Sequence, residues 1–289
     1  MRNRFVCFAV TGLWSLGAQA ASVLIVTQTQ VPQYKQVAAA VTQQVAGAKQ
    51  LDLLDGAAVH QALSQAPDIV VAIGTKAFDL ARAEAPNSVI VAAALLSPST
   101  HGRKDISAVP LNPRAEDTMA TLRALAPQAK RLLAVRPPDD APATADAQEA
   151  ARQQGITLDF YEFKDFSGFQ EQFRGFLGGH DAVWIMPDAR IARPELVKFM
   201  VSTCLERRIP LLGFVDGMTR AGALASVSAD YAAIGRDTGR MVNAIAGKAK
   251  AERINIPMHF SAGLVSVNTR TRDALDLKGQ VPAGATTMP

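Results

Sequence analysis

Residues 68–77, DIVVAIGTKA, hold five apolar residues in a row, then a glycine, then the start of a helix-permissive run. Ile69 to Ile73 show no alternation, so both faces of the segment must be covered. A run this short and this β-rich fits a strand of a parallel sheet better than a buried helix. Val23 to Thr27 and Val89 to Ala93 are runs of the same kind. Between and after them, Gln33 to Ala46, Gly56 to Ala66 and Thr75 to Ala85 are Ala-rich and favour helix. The pattern returns downstream. Arg131 to Val135, Thr157 to Phe163, Ala182 to Met186, Pro210 to Phe214 and Ala223 to Val227 read as strands. Arg114 to Leu125, Ala143 to Gln154, Ser167 to Leu177 and Pro194 to Arg207 read as the helices that join them. Such alternation specifies parallel sheets with right-handed crossovers, and two blocks of it specify two α/β lobes.

Residues 181–190, DAVWIMPDAR, share the design of residues 68–77: an Asp, apolar residues, then a polar turn into a helix. Two buried strands can look alike by chance, and that alternative stays open here. If the design is repeated, Gly74-Thr75-Lys76 and Pro187-Asp188 occupy equivalent places. Ligands of open α/β sheets bind outside the carboxyl ends of strands, so the two turns would face one cleft between lobes. Val109-Pro110-Leu111-Asn112-Pro113 marks the passage from one block to the next, because paired prolines favour an extended connection.

The chain has 289 residues, 48% of them hydrophobic and 19% charged, which is a globular composition long enough for two domains. Arg2 and Arg4 precede an apolar run from Phe5 to Leu16 that is too short to span a bilayer, and Ala18-Gln19-Ala20 follows. This is the pattern of a cleaved export signal, with a mature start at Ala21; an uncleaved anchor is the alternative. Cys7 lies in the leader, without the small-residue box of a lipid anchor. Cys204 is then alone, so no intramolecular disulfide forms. It falls in helical step with Leu196, Phe199 and Met200 and reads as a small buried hydrophobe. The net charge is +4, with Lys and Arg scattered rather than striped, which argues against a nucleic-acid partner.

Chemistry-bearing motifs are thin. The sequence has no G-x-S-x-G elbow, no P-loop and no G-x-G-x-x-G after a strand. His60, His101, His180 and His259 lack metal-ligand spacing. Asp139-Asp140 sits in a Pro/Ala-rich loop, where paired carboxylates are usually solvated. The reading is of a protein without catalytic residues, cofactor or metal.

An exported two-lobe chain of this kind resembles the substrate-binding proteins of ABC transporters, in particular the family with tryptophan- and tyrosine-binding members. The resemblance is carried by Pro187-Asp188, Ile209-Pro210, Gly222-Ala223-Leu224-Ala225, Asp230-Tyr231 with Gly235-Arg236 and Gly239, and the late VNTRTRDAL from Val267. It implies a type I periplasmic-binding fold, two doubly wound parallel-sheet lobes with a ligand between them. Residues 21–110 plus about 229–256 would form one lobe, 111–228 plus about 257–278 the other, and 279–289 a flexible tail. ASVSAD, Ala225 to Asp230, would then be a crossing, with Asp230 or Ser228 capping the next helix. Ile234, Met241, Val242 and Ile245 form its buried stripe, and Gly235 and Gly239 allow close helix approach. The sequence departs from the family where Leu95-Leu96-Ser97-Pro98 replaces a Thr-Asp-Pro turn, Asp105 to Val109 an Asn-x-Thr-Gly turn, and Arg136-Pro-Pro-Asp-Asp140 an Asn-Pro-x-Glu loop. Groups expected to grip an amino acid are thus partly missing, and the ligand class is not inherited.

The expected pocket comprises Thr27, Gln28 and Gln30 after the first strand, and Thr75 and Lys76 at a helix start that favours an anion such as a carboxylate. Ser97, Asp188, Phe214, Asp216 and Tyr231 complete it. Few polar groups among aromatic walls suit a small organic ligand. The expected role is that of a monomeric periplasmic solute-binding protein serving an ABC permease. A sensory or accessory module for a membrane receptor is the alternative, and an exported enzyme with an unfamiliar site is a second.

Overall fold

The computed structural model describes residues 21–96, 106–136, 138, 141–248, 252 and 257–289. The leader, Ser97 and Asp139-Asp140 lie outside the described residues.

The first lobe is a five-stranded, all-parallel sheet in the order β2-β1-β3-β4-β5. Its strands are β1 (Val23–Thr27), β2 (Lys49–Asp52), β3 (Ile69–Ile73), β4 (Val89–Ala93) and β5 (Ile106–Val109). The connections carry α1 (Pro32–Gln44), α2 (Gly56–Ser64) and α3 (Thr75–Glu84). The unbroken apolar runs have the cause expected of them. Val23 and Ile25 turn to a core with Val37 and Val41 of α1, while Leu24 and Val26 turn to Val59 and Leu63 of α2 and Phe78 of α3. Each such aliphatic side chain contributes about 1.5–3 kcal/mol on burial.

The second lobe begins with α4 (Ala115–Leu125), β6 (Arg131–Arg136), α5 (Ala141–Gln153), β7 (Thr157–Glu162) and α6 (Phe169–Phe176). It continues with β8 (Ala182–Ile185), α7 (Pro194–Glu206), β9 (Leu211–Gly213), α8 (Asp216–Arg220) and β10 (Ala225–Ala229). After α9 (Tyr231–Ala246), β11 (Gly263–Asn268), α10 (Thr269–Ala274) and β12 (Thr286–Met288) close the chain. The sheet order is β12-β11-β10-β9-β8-β6-β7, with only the β10–β11 pairing antiparallel. β11 follows a helix packed on the other lobe, so it is free of the crossover that forces parallel pairing.

The two sheets share one design. In the first the order is second, first, third, fourth, fifth strand, and β7-β6-β8-β9-β10 repeats it. β3 and β8, the strands of the two similar segments, hold equivalent places. The Asp ahead of each does the same work. Asp68 Oδ2 accepts the Ser22 N–H at 3.0 Å, and Asp181 Oδ2 accepts the Lys130 and Arg131 N–H groups at 2.7 and 2.8 Å. Each carboxylate thus fixes the start of its lobe's first strand to its third. Chance similarity does not produce that.

α9 leaves β10 and packs on the first lobe. Ile234, Met241, Val242 and Ile245 join the core of β1, β3 and β4. The close approach expected of its glycines is there: a Cβ on Gly235 would lie 2.6 Å from the Val37 carbonyl oxygen, and one on Gly239 would lie 2.5 Å from Gln44 Cβ. The chain returns past β5, where the His259 N–H donates to Ala108 O at 2.9 Å, and the Arg114 N–H donates to Ser261 O at 2.9 Å. No helix among the described residues is long and apolar enough to cross a membrane.

Three segments differ from the sequence reading. Lys49–Asp52 is an edge strand with three polar residues of four and none fully buried, so it lacks the apolar run of the other strands. Ile106–Val109, expected as a turn, is a strand covered in part by the returning chain. The tail expected to be frayed supplies β12, which pairs with β11. Val281 and Ala285 pack there with Leu125 and Leu224, and Gly279 passes too close to the Ala124 and Leu125 carbonyls to admit a side chain.

Candidate functional site

At the carboxyl end of β3, Gly74 turns the chain into α3 with φ +85°, a conformation that only glycine adopts without strain. The Tyr34 ring lies directly over it, so a Cβ would sit 2.5 Å from the ring. No side chain among the described residues caps α3, so its first N–H groups have no side-chain partner there. Thr75 and Lys76 are exposed there, and Lys76 has no ion pair among the described residues. That is an anion-receptive helix start with a cation beside it.

Tyr231 is the first residue of α9 and half-buried. Burial, with the Tyr34 phenol nearby as a second cause, raises its pKa above the usual tyrosine value. Both rings pack on the same core. Thus Tyr34, the Gly74–Lys76 turn and Tyr231 form one surface. Tyr34 was not singled out by the sequence reading. Its signal was slight: one of three tyrosines, following Pro32 at a helix start after the first strand.

The remaining first-lobe residues are less open. Thr27 is completely buried, beneath the rim. Gln28 is half-exposed, and its carbonyl takes the Val31 N–H at 3.1 Å. The exposed Gln30 places its amide 3.3 Å from Asp52 Oδ2. Asp52 also accepts the Leu54 and Thr29 N–H groups at 2.8 and 2.9 Å, which hold its carboxyl below the usual range and pin the β1–α1 loop to the end of β2.

On the second lobe, Asp188 follows β8 and is 7% exposed. Arg190 engages both its oxygens, with Nη2 at 2.6 Å from Oδ2 and its own N–H at 2.8 Å from Oδ1. This carboxylate shapes its turn and is electrically offset within it. Phe214 points into the core of α6 and α7, whereas its neighbour Val215 is 39% exposed. Asp216 opens α8 and accepts the Ser228 hydroxyl at 3.3 Å.

The crossing at ASVSAD connects the two rims. Asp230 caps α9, accepting the Ala232 and Ala233 N–H groups at 2.9 and 3.0 Å. Ser228, bonded to Asp216, stands three residues before Tyr231, a reach of at most about 10 Å along an extended chain. His60, His180 and His259 instead lie with Glu84, Asp159 and Asp237 respectively. Cys204 is buried, which pushes its thiol up to about 12. Among the described residues no group of three or more His, Cys, Asp or Glu could hold a metal. Among the described residues, the α3 start brings together peptide N–H groups, one lysine and the Tyr34 phenol, with Tyr231 nearby.

A protein-family model described as ABC transporter substrate binding protein matches residues 30–279. The chain belongs to that family. Among solved structures it is similar to an ABC domain in complex with L-Trp from Streptococcus pneumonia, with 19% identity, TM-score 0.56, and 93% of this chain and 99% of that one covered. A ligand-free, open substrate-binding protein with adhesive properties from Clostridium difficile has 16% identity, TM-score 0.64, and 93% and 99% coverage. A periplasmic ribose ABC transporter structure from Conexibacter woesei has 13% identity, TM-score 0.50, and 88% and 93% coverage. At these identities the likeness is one of fold, the type I periplasmic-binding architecture of two α/β lobes. No curated protein matches the chain.

Proposed function

We propose that this substrate-binding protein is exported, captures a small organic ligand between its lobes and delivers it to an ABC importer, without catalysing a reaction. The observation that carries the reading is the joined surface of the uncapped α3 start, Tyr34 and Tyr231, set three residues from the second lobe's Ser228–Asp216 pair. Both rims follow carboxyl ends of parallel strands, where such ligands bind. The family match supports the class of function, and the neighbour complexed with L-Trp supports a ligand of small-molecule size. Thr75 and Lys76 would receive a carboxylate, and Tyr231 would wall the cleft beside it. Ser97, Gln28 and Gln30 belong to the same proposal as flanking contacts. The two lobes divide near Pro110–Pro113, at Ala229–Asp230 and again before β11.

Export predicts that periplasmic material starts at Ala21. A mass that retains residues 1–20 contradicts it. For binding, the test is Lys76→Ala against the solute that most stabilises the protein in a thermal-shift panel of amino acids, organic acids, purines and peptides. A carboxylate solute is expected to lose about 1.5–3 kcal/mol, the worth of one hydrogen bond to a charged group. Unchanged affinity removes Lys76 from the site.

A further inference from the structure

β2 and β7 hold equivalent places in the two sheets, and the loops that follow them begin alike. The Leu53 N–H, just past β2, donates to Thr27 O at the end of β1 at 2.8 Å. The Phe163 N–H, just past β7, donates to Arg136 O at the end of β6 at 2.9 Å. Each loop then holds a large apolar side chain out to solvent, Leu54 at 75% exposure and Phe166 at 43%. Both loops are fixed. The Leu54 N–H donates to Asp52 Oδ1 at 2.8 Å, and Asp55 accepts the Ala58 N–H at 3.2 Å. The Ser167 N–H donates to Asp165 Oδ1 at 2.7 Å, while the Phe166 ring lies 5.6 Å from that of Phe163 and 4.5 Å from Arg193 Cζ. A single exposed apolar residue is ordinary; two at matched places of a repeat, on fixed loops, call for a reason.

Their place in the molecule supplies one. Both loops leave carboxyl ends of strands, the ends that face the proposed cleft. The crossings leave β5 and β10, and the chain returns past β5 into β11. β2 is the edge of its sheet away from β5, and β7 the edge away from β10 and β11. Four strand spacings separate β2 from β5 and β7 from β10 alike, about 19 Å. The displacement of a lobe turning on its crossings grows with that distance. Leu54 and Phe166 thus stand on the two lips of the cleft, where closure moves them most. Charge does not keep the lips apart, since Asp52 and Asp55 lie on one, and Lys164 and Arg193 with Glu162 and Asp165 on the other. Contact between the two side chains would remove apolar surface from water.

We infer that Leu54 and Phe166 meet when the lobes close and clasp the cleft across its mouth. This rests on the proposed capture of a solute between the lobes and adds the residues that hold the closed form. The test is Leu54→Cys with Phe166→Cys in the chain from Ala21, where Cys204 is the one other thiol and is buried. A disulfide needs Cα atoms within about 7 Å, so it forms only where the lips meet. Oxidation by copper phenanthroline is expected to give a cross-linked monomer with a smaller radius of gyration, reversed by dithiothreitol. The solute that most stabilises the chain in the thermal-shift panel is expected to speed cross-linking at least fivefold. Leu54→Cys with Phe176→Cys is the control, because Phe176 is 45% exposed at the opposite end of α6, and this pair is expected to stay open. No cross-link in the first pair, an equal rate in the control, a rate that the solute does not raise or an unchanged radius overturns the inference. If the solute contracts the unsubstituted chain in scattering while the first pair stays open, the solute-binding reading stands and this inference falls. If no panel solute contracts the chain yet the pair cross-links with a smaller radius, the clasp stands and that reading falls.

Discussion

Asp230 and Tyr231 stand side by side and do different work. Asp230 satisfies two N–H groups of α9, a capping role worth about 1 kcal/mol. Asp230→Asn is therefore expected to be nearly silent in thermal unfolding and Asp230→Ala to cost about that amount, with neither touching ligand affinity directly. Tyr231 packs on the first-lobe core and stays partly exposed. Tyr231→Ala should weaken ligand binding beyond its loss of stability, because an aromatic wall contributes buried area and orientation. Tyr231→Phe, which keeps the ring, should fall between. Normal binding by an Ala variant that only melts earlier would assign the residue to the scaffold. At this scale the sequence was a partial guide. It offered Lys76 from a helix start after a strand and Tyr231 from the family resemblance, but it could not show that Arg190 engages Asp188 or that Phe214 faces inward and Val215 outward. Those depend on side-chain direction, which a three-residue strand such as β9 is too short to reveal.

Among the elements, the pairing of α1 with α9 joins residues about two hundred apart in sequence. Two glycines make it tight. Ala favours helix over Gly by about 1 kcal/mol, yet a Cβ at Gly235 would lie 2.5 Å from Ala40 Cβ and 2.6 Å from a backbone oxygen that only moves with α1. Overpacking of about 1–3 kcal/mol should win, so Gly235→Ala is expected to lower stability in urea unfolding. A more stable variant would mean that the helices are further apart than described. Elements with continuous apolar runs, β1, β3, β4, β6 and β8, were legible because burial on both faces leaves them no polar position. β2 and β12 were not, since each is an exposed edge strand whose pairing, rather than its composition, makes it a strand.

At the level of the whole molecule, two copies of one sheet order are joined by crossings, and the chain's family is that of ABC-transporter substrate-binding proteins. The alternation of strands and helices carried this far into the sequence, while the ligand did not, because it is chosen by loops that tolerate polar residues anywhere. The central claim is that a solute bound between the lobes draws them together. The most direct test is small-angle scattering of the chain from Ala21 onward while the stabilising solute is titrated in. The radius of gyration is predicted to fall to a plateau, with Lys76→Ala needing more than tenfold more of a carboxylate solute to reach it. A radius that stays constant while calorimetry shows saturation would place the solute outside the cleft and contradict the account.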